Sequence, residues 1–405
     1  MSNIIFLNPS WENLALIKAF IRLNYFVIGM GPASPFLDSP THYRHIYSDL
    51  LDYSQIADVA LLYSATCIAS DNCDYSLLTS ELISDSLKLP CFGLSSARLS
   101  NNKLRQRQLG FAAGILQPQY FKVDCFSDVI SVLRNSNVDL MLKPIDSRGS
   151  MGITYLVPTS SLLEIQNAYI KALSASPSNT VLLEQFIDGK LFTLDGFAQH
   201  NELRLLGIAE RERIGQGQQV TTKISYSSSH SQHFIDQCFV FLSSVVTAFG
   251  YSNGHVHCEA LLNSDGHFVL LECTNRGGGV FTSSTINPYI SGYDVNREFV
   301  SLKTQTTFSI SPEFINSPST FSQKDACLVF PTIGEPGQVL HTFDYSSIVK
   351  HPSVLAVKLF HKVGRPLPEP IDGPSRHCAL VLKTSSNTSI KDIIGTVFDN
   401  SVHAS

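Results

Sequence analysis

His255-Val256-His257-Cys258-Glu259-Ala260-Leu261-Leu262, then Asn263-Ser264-Asp265-Gly266, then His267-Phe268-Val269-Leu270-Leu271-Glu272-Cys273, closing on Thr274-Asn275-Arg276-Gly277-Gly278-Gly279, is the segment from which the rest of this chain can be read outward. Two runs of alternating character flank an Asp-Gly pair, the strongest short-range signal for a two-residue hairpin. With Asp265 and Gly266 as the loop, Ser264 pairs with His267, and counting down the ladder sets Glu259 opposite Glu272. Directly opposed side chains have Cβ atoms roughly 4.5 to 5.5 Å apart, and like charges there repel unless something positive lies between them. A divalent cation meets that need. Val256, Cys258, Ala260 and Leu262 against Val269, Leu271 and Cys273 form the other face, which reads as core. The plain alternative is a solvated hairpin whose carboxylates happen to align.

The chain has 405 residues, which suggests two or three domains of about 100 to 200 residues each. Its net charge of -5 is mild, so nothing in the balance calls for nucleic acid or an anionic membrane. No apolar run approaches the ~18 residues of a bilayer span, and no basic region precedes the strand-like Ile4-Ile5-Phe6-Leu7. The expectation is a soluble, cytoplasmic protein. Nine cysteines are scattered without a Cys-x-x-Cys pair, which favours reduced, buried thiols over disulfides or a zinc site.

Upstream of the hairpin, strand-like and helix-like segments alternate. Ile4–Leu7, a helical run over Trp11–Leu23, Phe26–Gly31, Val59–Leu62, a helix around Leu77–Leu87 and Cys91–Leu94 read as a small parallel α/β domain ending near residue 97. Gly29-Met30-Gly31 lacks the third glycine of a dinucleotide fingerprint and is followed by Pro32, so a plain turn is the better reading. Ser100-Asn101-Asn102 carries helix N-cap chemistry before Lys103–Leu109, with a stop at Gly110. Taken alone, the basic residues of that helix suit a solvated face. Next, the small-residue loop Ser147 to Gly152, with Gly149, Ser150 and Gly152, sits between two β-like runs as a hairpin tip. Such a loop can lay backbone N–H groups over phosphates, and Lys143 can add a point charge.

A helix over Leu162–Leu173 and a Ser/Pro linker lead to Val181–Ala198, read as two strands around an Asp188-Gly189 turn. Arg204–Ile208 is a further strand that runs into Glu210-Arg211-Glu212-Arg213, and Gly215-Gln216-Gly217-Gln218 breaks the pattern. Phe234–Phe249 is an apolar-rich helix feeding the hairpin. After it, residues 304–322 read as a Ser/Thr/Pro connector, followed by a compact unit with a strand around Val354–Phe360, another over Ser375–Leu382 and a closing helix over Ser389–Phe398.

In order and spacing these pieces resemble the ATP-grasp superfamily, within it the branch of L-amino-acid (dipeptide) ligases and biotin-carboxylase-like enzymes, over nearly the whole length. The resemblance implies an α/β fold of the α+β ATP-grasp kind: an N-terminal parallel α/β domain over 1–97, a two-lobed grasp over 98–300 with a lid over about 119–187, and a small C-terminal α+β domain over 301–405. It implies ATP with one or two Mg2+ ions, Mn2+ being an acceptable substitute. Lys103 then resembles the first nucleotide lysine, and Lys143 with Ser147, Gly149, Ser150 and Gly152 the second lysine and its lid. Glu184-Gln185-Phe186-Ile187 resembles the adenine hinge, with backbone groups of Gln185 to Ile187 on the base edge and Glu184 at its amino group. Glu259 and Glu272 match the magnesium carboxylates, Arg276 the arginine that steadies an acyl phosphate, and Gly277, Gly278 and Gly279 a backbone that substrate approaches.

His257, on the face of Glu259, is a candidate substrate contact beside its reading as a structural histidine. Two positions depart from the pattern. The family's ribose-binding acid falls on Leu191, which neither Asp188 nor Asp195 replaces cleanly. The usual Glu-x-Asn-x-Arg has Thr274 at its asparagine position, with Asn275 following, so either residue is the candidate second metal contact. The implied reaction activates a carboxylate as its acyl phosphate and passes it to an amine. The alternatives are an ATP-dependent carboxylase acting through carboxyphosphate and an ATP-binding module without catalysis. The expected partners are small-molecule carboxylate and amine substrates, and a homodimer is the ordinary assembly for a soluble enzyme.

Overall fold

The computed structural model describes residues 1–36, 38, 40–147, 149–214, 220–305, 318–385, 389–398 and 401–404. The Gly215–Gln218 break, Arg148 in the small-residue loop and most of the connector over 304–322 lie outside the described residues.

The N-terminal part is a four-stranded parallel sheet made of β1 (Ser2–Leu7), β2 (Tyr25–Gly31), β3 (Tyr43–Tyr47) and β4 (Cys67–Ala69), in the order β3-β2-β1-β4. Parallel sheets are covered on both faces, so their strands read as unbroken apolar runs. In β1, Ile4 and Phe6 pack with Leu16, Ile17 and Phe20 of α1 (Leu14–Arg22). Ile5 and Leu7 face Ile56 and Ala60 of α2 (Tyr53–Leu62) and Ile83 of α3 (Asp74–Leu87). Two expected strands are absent. Val59–Leu62 is the end of α2, whose capping Asp52 side chain accepts from Gln55 N, and Cys91–Leu94 is a turn into α4 (Leu94–Ser100). An apolar run of four residues has no readable period, and here the upstream cap decides.

α5 (Lys103–Ala112) starts where Asn102 caps it, Oδ1 accepting from Arg105 N at 2.9 Å, and it runs through Gly110 rather than stopping there. Beyond it, β5 (Tyr120–Val123), β6 (Leu140–Pro144), β7 (Thr154–Leu156) and β8 (Val181–Gln185) make an antiparallel sheet ordered β5-β8-β6-β7, covered by α6 (Phe126–Arg134) and α7 (Leu162–Ser174). The Ser147–Gly152 loop is the β6–β7 connection, as its composition suggests.

The large sheet holds β9 (Lys190–Gln199), β10 (Glu202–Arg213), β11 (Thr221–Tyr226), β12 (Gly254–Leu262), β13 (Phe268–Thr274), β14 (Ala326–Val329), β16 (Val354–Leu359) and β17 (Cys378–Lys383), ordered β13-β12-β9-β10-β11-β14-β17-β16. β15 (Leu340–Phe343) pairs with β18 (Val402–Ala404), and these pack with the helix over Ile390–Phe398 on a core of their own. The C-terminal unit expected over 301–405 therefore has its own core while three of its strands continue the central sheet. Asp188-Gly189 is not a hairpin turn either. β8 belongs to the small sheet and β9 to the large one, so this dipeptide carries the chain from one to the other. α8 (Gln232–Phe249) lays Ile235, Cys238, Leu242 and Val245 on the large sheet's main core.

Glu259 does stand opposite Glu272, by a route different from the two-residue loop. The hairpin closes on Asn263 and His267, with Asn263 N donating to His267 O at 3.0 Å and Asn263 Oδ1 accepting from the amides of Asp265 and His267. Gly266 takes φ +79, the left-handed position that three-residue loops require. Pairing then runs Leu262↔Phe268, Leu261↔Val269 and Ala260↔Leu270, and a β-bulge at Leu271 restores Glu259↔Glu272, Cys258↔Cys273 and His257↔Thr274. The bulge also redistributes side chains. Phe268, Leu270 and Cys273 face the core with Val256, Cys258 and Ala260, whereas Val269 and Leu271 turn to the opposite side with Leu261 and Leu191. Among the described residues no helix is long and apolar enough to cross a membrane, and all nine cysteines are free.

Candidate active site

The site grows from the bulged edge strand β13. α5 presents Lys103, Gln106 and Arg107 on one buried face, spaced three and four residues apart. Each meets a successive residue of the bulge. Arg107 Nη2 donates to Leu271 O at 2.6 Å, Lys103 Nζ pairs with Glu272 Oε1 at 3.0 Å, and Gln106 Oε1 accepts from Cys273 N at 3.1 Å. A bulge leaves ladder groups unpaired, and this helix supplies their partners.

Arg107 goes further. Its Nε donates to Glu184 Oε1 at 2.8 Å and its Nη2 to Glu184 Oε2 at 3.2 Å, while Lys143 Nζ also contacts that carboxylate. Arg107 is fully buried and Glu184 is 1% exposed. Burial alone would raise the Glu184 carboxyl, but Arg107 and Lys143 outweigh it and hold the group below the usual range. Burial lowers the Lys143 ammonium, opposed in part by Glu184. The Glu184 oxygens, which the resemblance sets at an adenine amino group, are engaged here by two cations, since a buried carboxylate needs partners. Arg107 itself does not stand out in the sequence, where its helix looks solvated. Its i+4 relation to Lys103 is the signal.

Two cavities meet at the carboxylate pair. The smaller, about 110 Å³, is lined by Lys103, Lys143, Ser150, Glu184, Gln185, Phe186, Ile187, Leu191, Leu271 and Glu272. The larger, about 710 Å³, is lined by Trp11, Glu12, Gly149, His257, Thr274, Arg276, Gly279, Phe330, Phe360 and Arg376. Arg211, Glu259 and Glu272 border both. Arg211 Nη1 pairs with Glu259 Oε1, and burial, which would raise the Glu259 carboxyl, is outweighed by Arg211 and His257, which keep it well below its ordinary value. Lys103 Nζ also donates to Ser147 O at 2.9 Å, tying the β6–β7 loop to the same point. Leu191 packs with Leu261 and Val269, an apolar floor to the smaller cavity.

His257 Nδ1 lies 2.7 Å from Asp195 Oδ1 and its Nε2 3.8 Å from Glu259. Burial would lower its pKa, but the two carboxylates raise it to about 9. Thr274 reaches the larger cavity, while Asn275 turns away, its Nδ2 donating to Asn253 O at 2.9 Å and His255 O at 2.8 Å. Of the two candidate second metal contacts, Thr274 is thus the one at the site. Arg276 forks onto Asp74, Nε to Oδ1 at 2.8 Å and Nη2 to Oδ2 at 3.1 Å. Burial opposes its charge, yet Asp74 raises the pKa above its usual value. Gly277 and Gly278 are not open to substrate. A Cβ on Gly277 would meet Ser283 and Asp71, one on Gly278 would meet His257 and Thr282, and Gly277 N donates to Asp71 Oδ1 at 2.7 Å. These glycines let the chain's own side chains pack close, and of the three Gly279 lines the cavity.

Among the described residues no three or more His, Cys, Asp or Glu side chains are gathered as a metal site. Two opposed carboxylates, each already beside a cation, instead suit Mg2+, which is commonly held by one or two carboxylates with substrate phosphates and water completing its shell. The donor set fits that ion.

Residues 136–284 match the sequence model of the ATP-grasp domain. This likeness to the ATP-grasp domain spans 149 of the 405 residues. Dapdiamide A synthase of Enterobacter agglomerans is 25% identical over 206 residues, 49% of this chain and 48% of that protein, so the likeness spans about half the relative's length. The L-amino acid ligase from Bacillus licheniformis superposes with a TM-score of 0.82 at 14% identity, over 100% of this chain and 98% of that one. The biotin carboxylase domain dimer of the Hydrogenobacter thermophilus 2-oxoglutarate carboxylase, a complex with MgADP, ADP and bicarbonate, gives 0.74 at 13% identity, over 100% and 90%. N5-carboxyaminoimidazole synthetase from Staphylococcus aureus, complexed with ADP, gives 0.71 at 12% identity, over 98% and 97%. At these identities what is shared is the ATP-grasp fold, with its parallel N-terminal sheet.

Proposed function

We propose that this ATP-grasp protein is a ligase that joins a carboxylic acid, an amino acid in the first instance, to an amine or second amino acid at the expense of ATP, releasing ADP and phosphate. One observation carries the reading: Glu259, Glu272 and Arg211 stand where a cleft lined by two lysines meets a far larger cavity with aromatic walls. A phosphoryl donor on one side and an organic acid on the other would meet at those carboxylates.

In this reading the backbone of Gln185 to Ile187 meets the base, with Leu191 and Leu271 packing against it. Lys103 and Lys143 turn from Glu272 and Glu184 towards phosphate oxygens, and the loop over Ser147–Gly152 closes on them with Gly149, Ser150 and Gly152. Glu259 and Glu272, with Thr274 beside them, would hold the magnesium ion, which when bound neutralises phosphate charge. Arg276, fixed in place by Asp74, faces the carboxylate that takes the γ-phosphate, and His257 borders the same space. The acyl phosphate so formed is then attacked by the amine, which displaces phosphate. The protein's contribution is positioning and charge neutralisation, and no enzyme nucleophile is required. The name of one fold neighbour, an L-amino acid ligase, supports the amino-acid choice.

A carboxylase is the competing reading, but bicarbonate alone fills little of a cavity of about 710 Å³. The test is phosphate release from ATP and magnesium with amino acids singly and in pairs, with Glu272→Ala as control. Release that needs an amino acid and falls by at least about 100-fold in the variant is expected. Release that needs only bicarbonate, or magnesium-dependent ATP binding without release, would overturn the ligase.

A further inference from the structure

Among the described residues, most charged groups lining the larger cavity stand in ion pairs, and Glu12 accepts from Val280 N. Arg211 pairs with Glu259, Arg276 with Asp74, His257 with Asp195, and Glu272 with Lys103 outside the cavity. Arg376, just ahead of β17, makes no side-chain ion pair or hydrogen bond among the described residues, and its Nε is buried without a partner. Its guanidinium lies 3.9 Å from the centroid of the Phe330 ring, just past the end of the neighbouring β14. Such a face contact steadies the planar group and leaves the N–H groups at its edge for another partner. Burial, and then the nearby Arg211, lower its pKa to about 10 against the opposing pull of Glu259 and Asp372.

Position narrows what that partner is. Arg376 borders the larger cavity and not the smaller, whereas the carboxylate to be phosphorylated must reach the boundary at Glu259 and Glu272. We infer that Arg376, stacked on Phe330, binds a substrate carboxylate that does not react, forming a subsite for the far end of the substrate pair. The inference rests on the ligase reading for the word substrate, and it adds which functional group is read and by which residue. A planar carboxylate fits the forked N–H edge better than any neutral group. It can come from two sources: the α-carboxylate of the amine substrate, or a second carboxylate on the acid.

The test compares each acid with its amide on the full-length protein, by ligand-induced shift of the melting temperature without turnover. L-phenylalanine against L-phenylalaninamide probes the first source, and L-glutamate against L-glutamine the second. The wild type should be stabilised more by the acid of one pair, and that pair names the source. Arg376→Gln should weaken the acid's apparent affinity by roughly 10- to 100-fold and leave the amide unchanged. Arg376→Lys, which keeps charge but loses the fork, should fall between. Phe330→Leu, which keeps the arginine and removes its platform, should narrow the acid-over-amide preference and serves if Arg376→Gln does not fold. Equal stabilisation by acid and amide in both pairs, no stabilisation by any of the four, or a preference that survives in Arg376→Gln, would each overturn the subsite. Phosphate release is read in parallel: an Arg376-dependent acid preference without release from any amino-acid pair would leave the subsite standing and sink the ligase.

Discussion

Replacing Arg107 by methionine would leave Glu184 buried with one cation instead of two and free the carbonyl of Leu271. Losing one partner of a buried, hydrogen-bonded ion pair costs about 3 to 5 kcal/mol. A fall in melting temperature of many degrees is expected for Arg107→Met, against almost none for the neighbouring solvated Arg105→Met, by thermal unfolding at neutral pH. The sign of the pH effect follows from the depressed carboxyl of Glu184. Its contribution is present above the unfolded-state value and lost as pH falls through the folded one, so the gap between wild type and Arg107→Met should close in acid. At this scale the opposition of Glu259 and Glu272 is legible from hairpin register and Lys143 stands out before a glycine loop, whereas Lys103 is singled out only by the family resemblance, its helix alone reading as solvated. Arg107 is not, since a charged helix residue is ordinarily solvated. Nor is the occupation of Arg276 by Asp74, which are 202 positions apart and meet only when the N-terminal sheet docks.

Local pattern tells less about elements than about their order. Opposed glutamates are legible although the loop is one residue longer than its Asp-Gly pair suggests, because a bulge adds the compensating residue on the other strand. Nothing in the side-chain alternation marks that bulge, whose partners lie on α5. Asp188-Gly189 likewise looks like a hairpin turn and is a crossing between sheets, which only the pairing partners of β8 and β9 distinguish. A Cβ at Gly189 would lie 2.6 Å from the carbonyl oxygen of Leu262. Gly189→Ala should therefore cost about 1 to 3 kcal/mol through forced backbone movement at the crossing. Gly395→Ala, in a helix and with nothing within 4 Å of the added methyl, should instead stabilise by about 0.5 to 1 kcal/mol. Opposite shifts of the two melting curves are the expected readout.

For the whole molecule, the decisive feature is that β14, β17 and β16 complete a sheet begun by β9 to β13. A chain ending at residue 325 would expose the edge of β11 and strip Leu328, Ala379 and Val381 from the cluster that holds Tyr226, Ile286 and Ile290. Unpaired edges and bared apolar clusters aggregate. That truncation is expected to be insoluble or to lose its cooperative melt, checked by expression and near-UV circular dichroism. The order of parts along the chain is legible from hydrophobic pattern and turn chemistry, whereas a sheet shared across the Ser/Thr/Pro connector is not, because pairing between distant strands leaves no local mark.

The β6–β7 loop fronts both cavities, Gly149 and Met151 on the larger, Ser150 and Ile153 on the smaller. Its tip also rests on the C-terminal chain, where Gly373 N donates to Gly149 O at 3.2 Å, three residues before Arg376. The smaller cavity, at about 110 Å³, falls below the ~300 Å³ at which ligand pockets begin, so under the proposed function a nucleotide would need this loop to lift. Lifting it removes a wall from the other chamber as well. Were it to swing as one partition between two rooms, whichever guest came first would set the position of the door for the second.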